Sequence, residues 1–309
     1  MYQPEQRKRL IDRPQSYQDM QARPAFQAVL DQREHKLSRV LTDYHFAQKC
    51  QCGLRSCRTP HKGGFLVETA DGLETNIGNV CGRNTFGESF LVARATYMRA
   101  REREELEQRV RSILAQGGDM ARRIHDLETA QYGVPWVRAV RRAFHGLLGA
   151  DLFEALRVAQ KRKDLTVTHA RERSAAEIEQ IMARNRVPRE QVRYVTTTLG
   201  VLQEMPWIDF DFTGRLRSGL LEPLTQLGLI DLERAPSPLL KQKVRHFEGW
   251  EDTLRAAGEA ANSALLMLGR ENLALLGLWI PEHMVARRRA VSAWIDSGEH
   301  QALLRGYPG

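Results

Sequence analysis

Four cysteines and one histidine crowd into a short stretch of the chain: Cys50, Cys52, Cys57, His61 and Cys81. These are all of the cysteines in the 309 residues. A disulfide framework usually spreads its cysteines across a fold. Thiols gathered around an imidazole read instead as metal ligands in a reducing compartment, and thiolate with imidazole suits tetrahedral zinc. Five candidates compete for four positions. Cys50 and Cys52 are separated by a single residue, so both can bind one ion only through an unusual chelate bend. The preferred set is Cys52, Cys57, His61 and Cys81, with Cys50 as the alternative to His61. Four protein ligands close the shell, so the one expected Zn2+ is structural; only a three-ligand set leaves a position open for catalysis.

Such ligands need elements to hold them in register. Gly53 permits a tight knuckle between Cys52 and Cys57. The stretch FLVETADGLETNI reads as two short strands around Asp71-Gly72, a strong hairpin signal. Cys81 then falls where a long helix begins. On Cys52-Gly53, Cys57, His61, the hairpin, Ile77-Gly78, Cys81-Gly82 and Phe86-Gly87, the block 50–87 resembles the treble-clef-like zinc-finger modules of phage and prophage proteins. It departs from the commonest pattern there, which places two ligands in the first helical turn; here only Cys81 occupies it. The resemblance implies one structural zinc and an accessory or regulatory protein of phage or mobile-element type that contacts nucleic acid. Arg55, Arg58, Lys62 and Arg83 flank the ligands and are then the phosphate contacts.

Charge supports a polyanionic partner mildly. The chain has 46 Lys and Arg against 38 Asp and Glu, a net charge of +8. The excess is uneven. Residues 1–63 carry 12 basic and 6 acidic side chains and residues 138–193 carry 13 and 7, whereas 196–254 carry 6 and 9. The N-terminus, with Arg7, Lys8, Arg9 and Arg13, has no apolar core behind it and is not a secretory signal. The most apolar stretch near the C-terminus is interrupted by Arg270, Glu271 and Asn272, which argues against a membrane span. A cytoplasmic protein is the expectation.

The expected fold class is mainly α: a small treble-clef-like zinc module of β-hairpin plus helix, then a long helix and an α-helical domain. Residues 1–49 read as a basic, partly helical segment with helical potential over Phe26–Leu41. Residues 88–131 read as a charged helix and connector, the helix ending at Gly117-Gly118. Residues 132–309 read as the helical domain, with a division near 206–214 in the loop PWIDFDFTG. In that domain Ser174 and Glu177 form a capping box, Pro188 opens a helix through QVRYVTTTLGVLQEM, Thr213 caps another, and the tryptophans anchor the core. Arg287, Arg288 and Arg289 read as a solvated helix face. No phosphate loop, dinucleotide fingerprint, nucleophile elbow or zinc-protease helix is present, so the motifs lean against an enzyme. The alternative to nucleic-acid binding is a scaffold in which zinc only fastens the helix. The exposed helix at 99–109 and the helical domain then dock a protein partner or a second copy.

Overall fold

The computed structural model describes residues 11–185 and 188–305, so Arg7, Lys8 and Arg9 lie outside the described residues. About 60% of the chain is helical, with small antiparallel sheets and one long helix, a mainly α fold. It divides into two compact units. The first holds the described residues up to Arg111 together with Leu232–Val244; the second holds Ser112–Asp231 and the described residues from Arg245 onward.

In the first unit α1 (Tyr17–Gln21) starts at a reciprocal cap. Ser16 Oγ accepts the Asp19 N–H, while the Asp19 carboxylate accepts the Ser16 N–H at 2.9 Å. Strands β1 (Leu37–Gln51), β2 (Pro60–Thr69) and β3 (Glu74–Ile77) then form an antiparallel sheet in chain order. The helical potential over Phe26–Leu41 is therefore not realised. Its C-terminal part opens a 15-residue strand, because Leu37–Phe46 is rich in branched and aromatic residues that bury on a pleated surface. An irregularity in the pairing between Val40 and Thr42 changes the alternation. Val40 faces one side with Phe65, Val67 and Ile77, while Leu41, Tyr44 and Phe46 face the other with Leu66. Phe90 and Tyr97 of α2 (Asn79–Thr129) cover the first side, and Met20 of α1 covers the second.

Gly87 interrupts α2 early, at φ 55° and ψ −128°, a conformation that only glycine adopts readily. Gly117-Gly118 does not end the helix, which continues to Thr129. A Cβ at Gly117 would stand 3.2 Å from a Leu224 methyl, so the missing side chain makes room for packing. That close approach offsets a glycine's cost in a helix interior, about 1 kcal/mol.

The 99–109 stretch is less exposed than its charge suggested. Leu106, Glu107 and Val110 are buried. Arg103 donates to the carbonyls of Leu232 and Ala235, and to Glu107 at 2.7 Å. Arg103→Ala should destabilise the protein by about 2 kcal/mol, because two carbonyls lose a charged donor while Glu107 keeps Arg111 at 3.3 Å. The midpoint of urea unfolding measures this; an unchanged midpoint would show that water replaces the guanidinium without loss.

The second unit is built on α3 (Val134–Leu148), α4 (Ala150–Arg162), α5 (Ala175–Asn185), α6 (Arg189–Val192), α7 (Glu222–Gly228), α9 (Trp250–Met267), α10 (Arg270–Trp279), α11 (Val285–Asp296) and α12 (Glu299–Leu304), while α8 (Ser237–His246) belongs to the first unit up to Val244. Its core includes Trp136, Phe144 and Trp207, with the Phe144 and Trp207 rings 5.2 Å apart. The capping box forms as expected: the Ser174 N–H donates to Glu177 at 2.7 Å, and the Glu177 N–H donates to Ser174 Oγ at 3.3 Å.

Three local readings change. The helix expected after Pro188 is only α6; the β-branched run Val195–Thr198 belongs to β5 (Tyr194–Val201), paired antiparallel with β4 (Thr166–Glu172). The stretch 206–214 is no exposed loop, since Trp207, Ile208, Phe210 and Phe212 are all buried. Thr213 starts a π-helical segment but does not cap it; Asp211 instead accepts the Gly214 N–H at 2.9 Å. Of the three consecutive arginines, Arg287 donates to the Leu147 carbonyl and Arg288 to the carbonyls of Leu278 and Ile280. They close helix C-termini, where cations are favoured.

Candidate metal centre

Cys52 follows β1 directly and is fully buried. The backbone pins it: its N–H donates to the Thr59 carbonyl at 3.2 Å, and the Gly53 N–H donates to the Asn76 carbonyl at 2.7 Å. Leu54 then turns the chain by accepting the N–H groups of Cys57 and Arg58, with Arg58 at φ 49°. This is the knuckle. Cys81 lies in the first turn of α2, where Gly82 makes room for Phe90 from beyond the break at Gly87; a Cβ there would meet the Phe90 ring at 2.7–2.9 Å.

These elements bring three sulfurs together. The Sγ atoms of Cys52, Cys57 and Cys81 lie within 4.8 Å of one another, and Cys57 and Cys81 are 3.0 Å apart. The three thiols do not titrate alike. The neighbouring Cys81 sulfur and Thr59 Oγ1, 3.3 Å away, pull Cys57 down to about 7. Burial, with the Cys57 thiolate beside it, pushes Cys81 up to about 12, and burial also raises Cys52. One thiolate forms readily, but three at this spacing repel. A cation removes that penalty, so three sulfurs in a partly buried pocket are chemically matched to a thiophilic metal ion. The cluster can hold one.

His61 and Cys50 fall outside this group of three. They pair across β1 and β2. His61 Nδ1 donates to the Thr59 carbonyl at 3.0 Å, and Nε2 lies 2.6 Å from Tyr44 Oη. The ring nevertheless borders the cluster: a Cβ at Gly78 would stand 3.5 Å from His61 Nδ1 and 3.6 Å from Cys81 Sγ. Cys50 is buried in the cluster with Met20, Tyr44 and Leu66, 3.6 Å from Asn76 Nδ2 and 3.9 Å from Tyr44 Oη. Burial raises its thiol.

No protein-family model, curated protein or solved structure matches the chain.

The four flanking basic residues divide. Arg58 is used internally, donating to the Ala28 carbonyl at 2.8 Å and to the Gln51 side chain. Arg55 remains largely exposed although it meets Asp31 at 3.2 Å. Lys62 and Arg83 are exposed. Tyr44 and Asn76 escaped the sequence reading. They lie 17 and 15 positions from His61 in opposite directions, and only the order of the strands brings them to it. The short apolar–polar alternation Tyr44, His45, Phe46 was the sequence signal that could have marked Tyr44 as inward-facing. Among the described residues no helix is long and apolar enough to cross a membrane.

Proposed function

We propose that this protein binds one structural zinc ion through Cys52, Cys57, Cys81 and His61 and uses the surrounding basic surface to contact nucleic acid. The observation that carries the reading is the group of three sulfurs within 4.8 Å, joining the knuckle to the first turn of α2. His61 is favoured over Cys50 as fourth ligand because its ring borders Cys81 beside Gly78, whereas Cys50 faces α1. Arg55, Lys62 and Arg83 supply exposed positive charge from the knuckle, β2 and the start of α2.

Metal analysis of protein purified without chelator should give about one zinc per chain. Gel-shift titrations on two unrelated duplexes and one single strand should show binding that weakens steeply with salt. Neutralising Arg55, Lys62 and Arg83 together should weaken it about equally on all three and flatten the salt dependence by up to about three phosphate contacts.

A second reading, the protein-docking scaffold, draws on Leu91, Val92 and Met98 of α2, which are 44%, 58% and 47% exposed. Zinc without nucleic-acid binding, together with self-association lost on replacing these three by Gln, selects the scaffold.

A further inference from the structure

We infer that the buried hydroxyl of Tyr44 directs the metal to the Nδ1 atom of His61 by holding Nε2 from behind. This rests on the reading of His61 as fourth ligand and adds a positioning residue that lies on another strand.

The contacts around the ring balance in both protonation arrangements. Without metal, Nδ1–H donates to the Thr59 carbonyl at 3.0 Å, and the Tyr44 hydroxyl donates to Nε2 at 2.6 Å. With Nδ1 on the metal, the ring proton resides on Nε2 and donates to Tyr44 Oη. The Thr59 carbonyl is not left bare, because it also accepts the Cys52 N–H at 3.2 Å. Tyr44 Oη already takes a contact from Asn76 Nδ2 at 3.3 Å, and its own proton can turn towards Cys50 Sγ, 3.9 Å away. Every donor keeps an acceptor.

The surroundings make room for this relay. A Cβ at Gly64 would stand 2.8 Å from Tyr44 Oη, so the hydroxyl reaches His61 only because residue 64 has no side chain. Asn76 is fully buried, and its Nδ2 also donates to the Gln51 carbonyl at 2.8 Å, fixing it against Tyr44. A hydrogen bond to the far nitrogen of a ligating histidine sets its tautomer and orientation, and losing one commonly costs 10–100-fold in metal affinity.

Cobalt(II) titrations of the full-length wild type, Tyr44→Phe, His61→Cys and the double variant test the inference. The wild type should bind with thiolate-to-cobalt charge-transfer bands and a ligand field of three sulfurs and one nitrogen. Tyr44→Phe should weaken binding about 10-fold or more and shift the ligand-field bands. His61→Cys should give a four-sulfur spectrum, and adding Tyr44→Phe there should change affinity less than about threefold, because no imidazole remains to orient. Equal weakening on both backgrounds would reveal a merely structural tyrosine and overturn the inference, as would a wild-type affinity in Tyr44→Phe. A wild type lacking charge-transfer bands instead overturns the metal-site reading itself. Thiolate bands without a nitrogen ligand overturn only the role of His61, and with it that of Tyr44.

Discussion

Cys57→Ser and Cys81→Ser should each emerge from purification without metal and with the knuckle open to protease, whereas Cys50→Ser should retain its ion. The sulfurs of Cys57 and Cys81 are 3.0 Å apart but belong to elements 24 residues apart, so the ion between them fastens the knuckle to α2. In small sites of this kind the free energy of binding is folding free energy, on the order of 10 kcal/mol at neutral pH, and two thiolates cannot recover it. Cys50 contributes only a buried thiol and weak contacts to Tyr44 and Asn76, so its replacement should cost about 1 kcal/mol and leave stoichiometry intact. Metal analysis after gel filtration, with limited proteolysis, reads both effects. Full metal content in both the Cys57 and Cys81 variants would remove the sulfur cluster as the site.

Gly53→Ala should destabilise the first unit by about 3 kcal/mol. A Cβ there overlaps Thr75 Oγ1 and stands 3.1 Å from the Asn76 carbonyl oxygen and 3.2 Å from Asn76 Oδ1. The backbone cannot retreat, since the Gly53 N–H donates to Asn76 and the Gly53 carbonyl accepts from Leu30, each at 2.7 Å. Thr75 is itself fully buried and donates to the Gln27 carbonyl at 2.8 Å. Thr75→Ala should therefore relieve part of the overlap, and the double variant should be at least about 1 kcal/mol more stable than additivity predicts. Strict additivity in urea unfolding would show that the clash is absorbed elsewhere.

What could be read from the sequence was local. Asp71-Gly72 does join two paired strands, Gly72 taking φ 86°, and Ser174 with Glu177 does cap α5. Residues 1–49 hid β1 because their charged positions mask an alternation that appears only once a bulge moves Leu41, Tyr44 and Phe46 onto one face. Tyr194–Val201 reads by itself as the continuation of a helix, and pairing with β4 makes it a strand. Cys52, Cys57 and Cys81 were legible because ligand chemistry restricts residue type. Tyr44 and Asn76 were not, since an inward tyrosine and asparagine look ordinary until strand pairing shows what they touch. Arg58 misled for the converse reason: its charge suggested a phosphate, but its backbone turn directs it to the Ala28 carbonyl.

The return of Leu232–Val244 to the first unit has a consequence for synthesis on the ribosome. Arg103 bonds to a carbonyl 132 positions further along, so most of the second unit must leave the exit tunnel before that bond can form. Until then the Arg103 guanidinium has neither carbonyl to donate to, at a synthesis rate of about 5–20 residues per second. For several seconds the growing polypeptide therefore lacks the tie that joins α2 to the later segment. A fragment ending near residue 111 would never form that tie.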